Sequence, residues 1–338
     1  MAKKQEEKST STGVNKILEE LNKKYGSGTI ITGKEVNGDI PVIDSGSLML
    51  NLALKVGGIP LNKLIEIFGM ESCGKSTLVL HIIANFQKAG KRCALINLES
   101  SFSKTYATNL GVDVDNLYIV QPETLEDAYN ICVALIESGE FQLLCVDSHT
   151  SGRSAKSLEG EIGDSTIAQI ARINSQALNK IHPLLEKHSC TMLAVSQLRV
   201  AIGAYGDPNQ PTGGMGYKFY SDVRLKVSKS VDKATENNKT TVEVVKSKVG
   251  APFGKAEFLI KWNEGIDRLQ EIIDLAVEQK FLKLGGAGWY TLESGVKIQG
   301  DIALKEFLND NPEFKQELEE KVLASLKPQE IIETTENQ

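Results

Sequence analysis

Hydrophobic positions in the middle of the chain fall into short apolar runs, separated by segments with helical spacing. The apolar runs predict five strands: Lys63–Phe68, Arg92–Asn97, Leu117–Val120, Gln142–Asp147 and Thr191–Ser196. Several of them are apolar at consecutive positions, which is typical of parallel strands covered on both faces. The segments between them predict helices over Gly74–Lys88, Thr124–Glu137 and Asp164–Lys187. This alternation predicts right-handed crossovers and a doubly wound, mainly parallel α/β sheet.

The pattern changes towards both ends of the chain. An apolar stripe at helical spacing precedes Gly26 and predicts a short amphipathic N-terminal helix. Beyond Lys218, turn signals separate three predicted strands: Phe219–Ser228, Thr240–Lys248 and Glu257–Trp262. We therefore expect an N-terminal helix and linker (1–34), a core (35–267), a small C-terminal α/β domain (268–327) and an acidic disordered tail (328–338).

Composition narrows the function classes only slightly. The chain has 338 residues, 41% hydrophobic and 24% charged, the mix of a soluble globular protein. No apolar run approaches the length of a membrane span, and the polar start resembles no signal peptide, so we expect a cytoplasmic protein without membrane contact. Five scattered cysteines without a CxxC pair predict reduced thiols and argue against zinc. A net charge of −6 argues weakly against a nucleic-acid coat.

The strongest chemical signal is a phosphate-binding loop between a predicted strand and a predicted helix. The pattern GxxxxGK[ST] is matched by Gly69, Met70, Glu71, Ser72, Cys73, Gly74, Lys75 and Ser76, and Thr77 follows. Such a loop wraps phosphates with its N–H groups at a helix N-terminus. We expect Lys75 to reach the β- and γ-phosphates of ATP and the Ser76 hydroxyl to help hold Mg²⁺.

Two carboxylates are predicted at the same edge of the sheet as this loop. Asp147 ends an apolar strand and is expected to face the Mg²⁺ shell. Glu99 follows the strand that ends at Asn97, where it could polarise the water that attacks the γ-phosphate. From its position alone, Glu99 could equally be a helix-start carboxylate before Ser103.

Longer segments of the chain resemble the bacterial and phage RecA recombinases, in the same order and at similar spacing. They include IDSGSLMLNLAL, GGIPLNKLIEIFGMESCGKST, YATNLGVDVDNL, EGEIGDS, SQLR, KFYSDVRL, VVKSKVGAPFGKAEF and GWYTLESGVKIQGDIALKEFLNDNPE. The similarity runs from about residue 13 to about residue 326. The phosphate loop alone would indicate only a nucleotide-binding superfamily, whereas EGEIGDS together with VVKSKVGAPF is far more specific.

The resemblance implies roles for single residues. Glu99 stands at the position of the family's catalytic glutamate, and Tyr106 at that of the aromatic residue that stacks on adenine. Gln197 matches the glutamine that senses the γ-phosphate and reorders the second DNA-binding loop. Lys246 and Lys248 match two lysines that reach the γ-phosphate of the neighbouring subunit; by sequence alone they would be solvated strand lysines.

The resemblance also implies two DNA-binding loops, at about 159–167 and 198–212. Residues at or beside these loops are the expected DNA contacts: Ile167, Arg172, Arg199, Ile202, Tyr205, Gly213, Gly214 and Lys218. Without the resemblance, the second loop would be interpreted as a surface linker. The N-terminal helix is expected to pack on the adjacent subunit of a helical filament, and the C-terminal domain to approach duplex DNA.

Four departures from the family pattern concern the nucleotide site and the second loop. Asn97 stands where Asp is common, Cys73 where Ser is usual, and Ser103 where an adenine-contacting Asp is common. Met215 follows the glycine pair at a position that is often Asn. These changes leave the phosphate machinery intact but concern base selectivity and the coupling of DNA binding to ATP hydrolysis.

The sequence therefore predicts a DNA-dependent ATPase that forms a filament on single-stranded DNA and pairs it with duplex DNA, using ATP and Mg²⁺. By family association it would act in DNA repair and the SOS response, with recombination mediators and single-strand-binding protein as partners. Three rivals remain: a small-molecule kinase, which should carry an arginine-rich lid; a helicase-type ring motor; and an ATP-gated scaffold that coats DNA. The combination of Lys75, Glu99 and Asp147 argues against the scaffold.

Overall fold

The computed structural model describes residues 14–24, 40–99, 101–159, 167–200, 209–211, 213–231 and 238–326. The chain divides into a short first unit, Met1–Ile40, and a second unit, Pro41–Gln338. In the first unit, helix α1 covers 14–24 and confirms the predicted N-terminal helix. The expected tail, the helix stop at Gly26 and most of both expected DNA-binding loops lie outside the described residues.

A large sheet forms the centre of the second unit. Its parallel strands are β3 (Leu64–Gly69), β4 (Cys93–Asn97), β5 (Leu117–Val120), β6 (Leu143–Asp147), β7 (Thr191–Val200) and β9 (Val223–Val231). Three antiparallel strands extend it: β10 (Asn238–Ser247), β11 (Lys255–Lys261) and β12 (Gly265–Ile266). The strand order is β12-β11-β10-β9-β3-β7-β6-β4-β5, and the short β8 (Asn209–Pro211) pairs with β7. The predicted mainly parallel α/β sheet is confirmed.

Helices cover both faces of this sheet because successive strand residues point to opposite sides. One face packs against α3 (Lys75–Lys88); on β3 it presents Ile65 and Ile67. The other face packs against α5 (Leu125–Glu137) and α7 (Ile167–Lys187), and there β7 contributes Met192 and Ala194. Both faces of each central strand are buried, which explains why these strands are continuously apolar in sequence.

The remaining elements of the second unit are short or belong to its C-terminal part. Before and between the central strands lie β1 (Val42–Ile43), α2 (Leu48–Ala53), β2 (Ile59–Pro60), α4 (Lys104–Asn109), α6 (Ala155–Glu159) and α8 (Gly216–Tyr220). The C-terminal part contains α9 (Arg268–Glu278), β13 (Lys283–Leu284), a 3₁₀ turn (Gly286–Gly288), β14 (Trp289–Thr291), β15 (Lys297–Gln299), α10 (Asp301–Asp310) and α11 (Pro312–Leu326). Its apolar side chains pack in one cluster that also includes Leu48 of α2.

One predicted strand is partly wrong. The expected strand Phe219–Ser228 begins only at Val223 and continues to Val231, and its first residues lie in helix α8 and the turn after it. The aromatic residues Phe219 and Tyr220 favour a strand by propensity, but burial of Tyr217 against the core and tertiary contacts with the last helical carbonyls favour the helix. The strand predicted at Thr191–Ser196 is also longer than expected, because β7 runs on to Val200.

All five cysteines are buried and unpaired. Within the described part of the chain, no helix is both long enough and apolar enough to cross a membrane.

Candidate nucleotide site and its link to the second loop

The phosphate-binding loop lies between β3 and α3, and close backbone approaches fix its shape. A side chain at Gly69 would lie 2.1 Å from the carbonyl oxygen of Val227 on the neighbouring strand β9, so only glycine fits there. Gly74 has a φ of +99° and caps α3, and a side chain there would meet Ile260 at 2.6 Å. The loop is therefore shaped by strands that lie far away in sequence.

Lys75 lies at the start of α3 and is 7% exposed. Its ammonium group donates to the carbonyl oxygens of Gly69 at 3.1 Å and Met70 at 2.6 Å, within the loop itself. These two acceptors are neutral carbonyls, so no carboxylate pairs with the ammonium group within the loop. The next residue, Ser76, donates from its hydroxyl to the Asp147 carboxylate at 3.0 Å.

Asp147 ends β6 directly opposite Asn97, in register on β4. Burial, and next the charge of Glu99, raise the pKa of Asp147 to about 6. A hydroxyl and a carboxylate in contact are oxygen ligands of the kind that Mg²⁺ prefers. The residues present thus fit the cation expected from the sequence, although the described residues contain no cluster of three or more His, Cys, Asp or Glu side chains that could hold a metal by themselves.

A cavity of about 840 Å³ opens beside the loop, within the usual size range of ligand sites. The phosphate loop from Ser72 to Thr77 lines one side, together with Ser103 and Tyr106, and the Tyr106 hydroxyl bonds to the Thr77 hydroxyl at 2.7 Å. The Ser103 hydroxyl accepts the N–H of Tyr106 and caps α4. Ser103 therefore positions the helix that carries the expected adenine-stacking aromatic residue.

The opposite side of this cavity was not predicted from the sequence. It is lined by residues of β9, β10, β11 and the turn that follows: Lys229, Thr240, Ile260, Lys261, Trp262 and Asn263. Trp262 is 88% exposed, and the buried Thr240 hydroxyl has no hydrogen-bond partner among the described residues. In the sequence, the available signal was a tryptophan at the end of a predicted strand. Because Trp262 lies far from the phosphate loop along the chain, this signal did not indicate that the two meet at one cavity.

Glu99 lies two residues beyond β4, close to the loop edge. Its Oε1 accepts hydrogen bonds from the Ser148 hydroxyl, from the Ser151 hydroxyl at 2.9 Å and from the Gln197 amide at 2.5 Å. The helix after it begins at Lys104 and is capped by Ser103, so Glu99 is not a helix-start carboxylate. Gln197 pairs in register with Gly69, because β7 is the parallel neighbour of β3.

Lys246 and Lys248 lie at the end of β10, away from this cavity. The ammonium group of Lys246 donates to the carbonyls of Lys218 at 2.8 Å and Phe219 at 2.9 Å. Lys248 donates to the Asp222 carboxylate at 3.1 Å. Neither lysine lines the cavity of its own chain, so the structure does not join them to the phosphate loop that precedes α3.

The expected DNA contacts are only partly visible. Arg172 on α7 and Lys218 on α8 are exposed, and so is Gly214. Gly213 is buried and its carbonyl accepts a hydrogen bond from Asn174. For Ile167 and Arg199 only the backbone placement is described, in α7 and β7, and Ile202 and Tyr205 lie outside the described residues.

Comparison with known protein families agrees with this architecture. The family profile described as the RecA N-terminal domain matches residues 12–267. The profile described as the RecA C-terminal domain matches residues 270–327. Together the two matches span nearly the whole chain and include the phosphate loop, both carboxylates, Gln197 and the C-terminal helices. The chain therefore belongs to the RecA family of recombinases.

Proposed function

We propose that this protein is a DNA-dependent ATPase that forms a helical filament on single-stranded DNA and carries out homologous pairing and strand exchange with duplex DNA. The observation that carries the proposal is the hydrogen bond from the Gln197 amide to Glu99. Gln197 lies on β7, the strand that leads into the expected second DNA-binding loop. Glu99 lies close enough to Asp147, the carboxylate that binds Ser76 of the phosphate loop, for its charge to raise the pKa of Asp147. One side-chain contact thus joins the two expected sites.

We assign the residues of the phosphate loop to binding. Lys75 would hold the β- and γ-phosphates, and the exposed loop N–H groups at the start of α3 would add the favourable helix dipole. Ser76 and Asp147 would hold Mg²⁺. When bound, this ion would neutralise phosphate charge. Tyr106 offers its ring to the base.

We assign proton transfer to Glu99. Its carboxylate would accept a proton from the water that attacks the γ-phosphate, and the Ser148 and Ser151 hydroxyls would fix its orientation. The Gln197 amide occupies the same carboxylate oxygen. A shift of Gln197 from Glu99 to the γ-phosphate would therefore free this oxygen for the attacking water while the loop beyond β7 changes its conformation.

We also propose that Lys246 and Lys248 act on the ATP of a neighbouring subunit, which is consistent with their position outside the cavity of their own chain. Arg172, Lys218 and the loops around Arg199 and Gly214 would contact the DNA. Five buried thiols suit the reducing cytoplasm, where we place the protein.

The test is the Gln197→Ala variant, assayed for ATP hydrolysis with and without single-stranded DNA. We expect nucleotide binding to persist, because Gln197 does not line the cavity. We expect most of the DNA stimulation to be lost, since the link between loop and base is removed. A variant stimulated as strongly as the wild type would show that Gln197 does not carry the coupling.

A further inference from the structure

A continuous line of buried polar side chains crosses the core between helix α7 and the central sheet, and we call it the polar line. Its members are each at most 4% exposed: Tyr217, Tyr129, Asn174, His149, Ser196 and Glu66. They come from six different segments, yet each contacts the next. Buried polar groups are costly unless every one is hydrogen-bonded, and a set of apolar residues could fill the same volume. None of the six is used in the chemistry proposed above.

The end of the polar line at the sheet is anchored by an ion pair. The buried Glu66 carboxylate accepts from Arg224 Nε at 2.5 Å and from the Ser196 hydroxyl at 2.8 Å. Since the Ser196 proton points to Glu66, the serine oxygen must accept from His149 Nε2, 2.5 Å away. The other ring nitrogen, Nδ1, is then an acceptor and faces the Asn174 amide at 3.5 Å. Each partner therefore fixes the hydrogen-bond direction of the next.

At the helix end of the polar line, the hydrogen bonds are donated in the same direction along the line. The Tyr129 hydroxyl donates to Asn174 Oδ1 at 2.6 Å, so its oxygen accepts from the Tyr217 hydroxyl at 2.9 Å. The amide nitrogen of Asn174 donates to the carbonyl oxygen of Gly213 at 2.8 Å. The Tyr217 ring stacks on His149, with ring centroids 3.9 Å apart. All polar atoms along this line are thus used in a single arrangement.

The polar line touches segments of both sites that the proposed function must connect. Gly213 immediately follows the expected second loop (198–212), with a φ of +108°, and a side chain there would lie 2.8 Å from Asn174 and 3.2 Å from His149. In the same polar line, Ser196 immediately precedes Gln197. Glu66 lies on β3, the strand that leads into the phosphate loop.

We propose that Asn174 and His149 are positioning residues that hold the base of the second loop in fixed register with Gln197. A fully satisfied polar line tolerates one arrangement, whereas apolar contacts can slide, so movement of Gly213 on DNA binding is transmitted to the strand that carries Gln197. The inference rests on the proposed function, since it needs a DNA-stimulated ATPase. The other explanation is a polar core that supports stability alone.

Two variants of the full chain separate these explanations. Asn174→Leu removes the bond to Gly213, and Tyr129→Phe deletes one hydroxyl that donates to Asn174. The matched control is Tyr290→Phe, which deletes a hydroxyl that donates to Asp301, also at 2.6 Å, in the C-terminal part. For each protein, the thermal unfolding midpoint and the ATP hydrolysis rate with and without saturating single-stranded DNA are measured.

We expect the hydrolysis rate of Asn174→Leu without DNA to stay within about twofold of the wild-type rate. Its rate with saturating single-stranded DNA should be about tenfold lower than that of the wild type, which is within the usual range of coupling between sites. Tyr129→Phe should show a smaller loss, and Tyr290→Phe none at a similar change in unfolding midpoint. If Asn174→Leu does not fold, the two Tyr→Phe variants decide the question. Wild-type stimulation in both network variants would overturn the inference alone. An unstimulated wild-type protein would instead overturn the proposed function on which it rests.

Discussion

At the scale of single residues, the protein surrounds one carboxylate with donors. Glu99 accepts from two hydroxyls and from the Gln197 amide, and it raises the pKa of the buried Asp147 after the larger effect of burial. Lys75, by contrast, is held by neutral carbonyls within its own loop. In the proposed mechanism, the lysine attracts the phosphate of the nucleotide, whereas the glutamate accepts a proton.

These two placements predict different defects. Lys75→Ala should weaken nucleotide binding, because a ground-state charge contact is lost. Glu99→Gln should still bind ATP but lose about 10²–10⁴-fold in hydrolysis, the usual size of a general-base effect, and any DNA filament should persist longer. Equilibrium binding of a fluorescent ATP analogue and steady-state hydrolysis measure the two properties. Rapid hydrolysis by Glu99→Gln would remove the glutamate from its assigned role.

At the scale of elements, parallel pairing brings the site together. Register places Gln197 beside Gly69 and Asp147 beside Asn97, so three strand ends and one loop meet at one edge of the sheet.

The parallel strands and the phosphate loop could be predicted because their signals are local in the sequence. Helix α8 could not be predicted, because its aromatic residues favour a strand and only tertiary contacts stabilise the turn of helix. The far wall of the cavity, with Trp262 and Thr240, depends on β9 lying beside β3, and no local pattern shows that neighbour.

A second element-scale feature joins helix α2 to helix α9. Glu271 on α9 is 2% exposed, and its carboxylate accepts from the N–H of Leu48 at 3.0 Å and of Met49 at 3.3 Å, and from the hydroxyl of the capping Ser47 at 2.5 Å. Burial nevertheless raises the pKa of this carboxyl from 4.5 to about 7. The carboxylate thus caps a helix N-terminus at a cost in desolvation.

This junction predicts a pH-dependent stability. Between about pH 4.5 and 7 the folded protein retains the Glu271 proton that the unfolded chain releases, so the contribution of this group falls as pH rises, by about 3 kcal/mol in total. The Glu271→Gln variant lacks the titration. Denaturant unfolding of both proteins at several pH values should show the wild type losing stability relative to the variant across this window. Parallel pH profiles would contradict the assignment.

At the scale of the whole molecule, an acidic chain has to bind a polyanion. With a net charge of −6, the proposed DNA binding would depend on local groups such as Arg172 and Lys218, and salt should weaken it strongly. If Lys246 and Lys248 act on ATP as proposed, the ATP must belong to a neighbouring copy of the chain, because neither lysine lines its own nucleotide cavity. Lys246 is bound to the last carbonyls of α8, and burial, followed by repulsion from Lys248, lowers its pKa.

Replacing Lys246 and Lys248 together by Ala should leave ATP binding to isolated subunits almost unchanged and remove DNA-stimulated turnover. Charges supplied in trans can contribute about 10³–10⁵ in rate. Lys239 and Lys255, which pair with Glu257 on the same sheet, provide the matched double substitution and should remain active. Mixing the first variant with Lys75→Ala protein should restore part of the activity, since some interfaces then join an intact loop to intact lysines. No recovery in mixtures shown to co-assemble would return these lysines to a surface role.

The most direct measurement of the central claim is ATP hydrolysis with and without single-stranded DNA, with the same samples viewed by electron microscopy. If Gln197 links the second loop to Glu99 within a filament, DNA should raise the hydrolysis rate, and helical filaments should be present in the samples that show the increase. Equal rates with and without DNA, or stimulated hydrolysis by closed rings without filaments, would contradict the account.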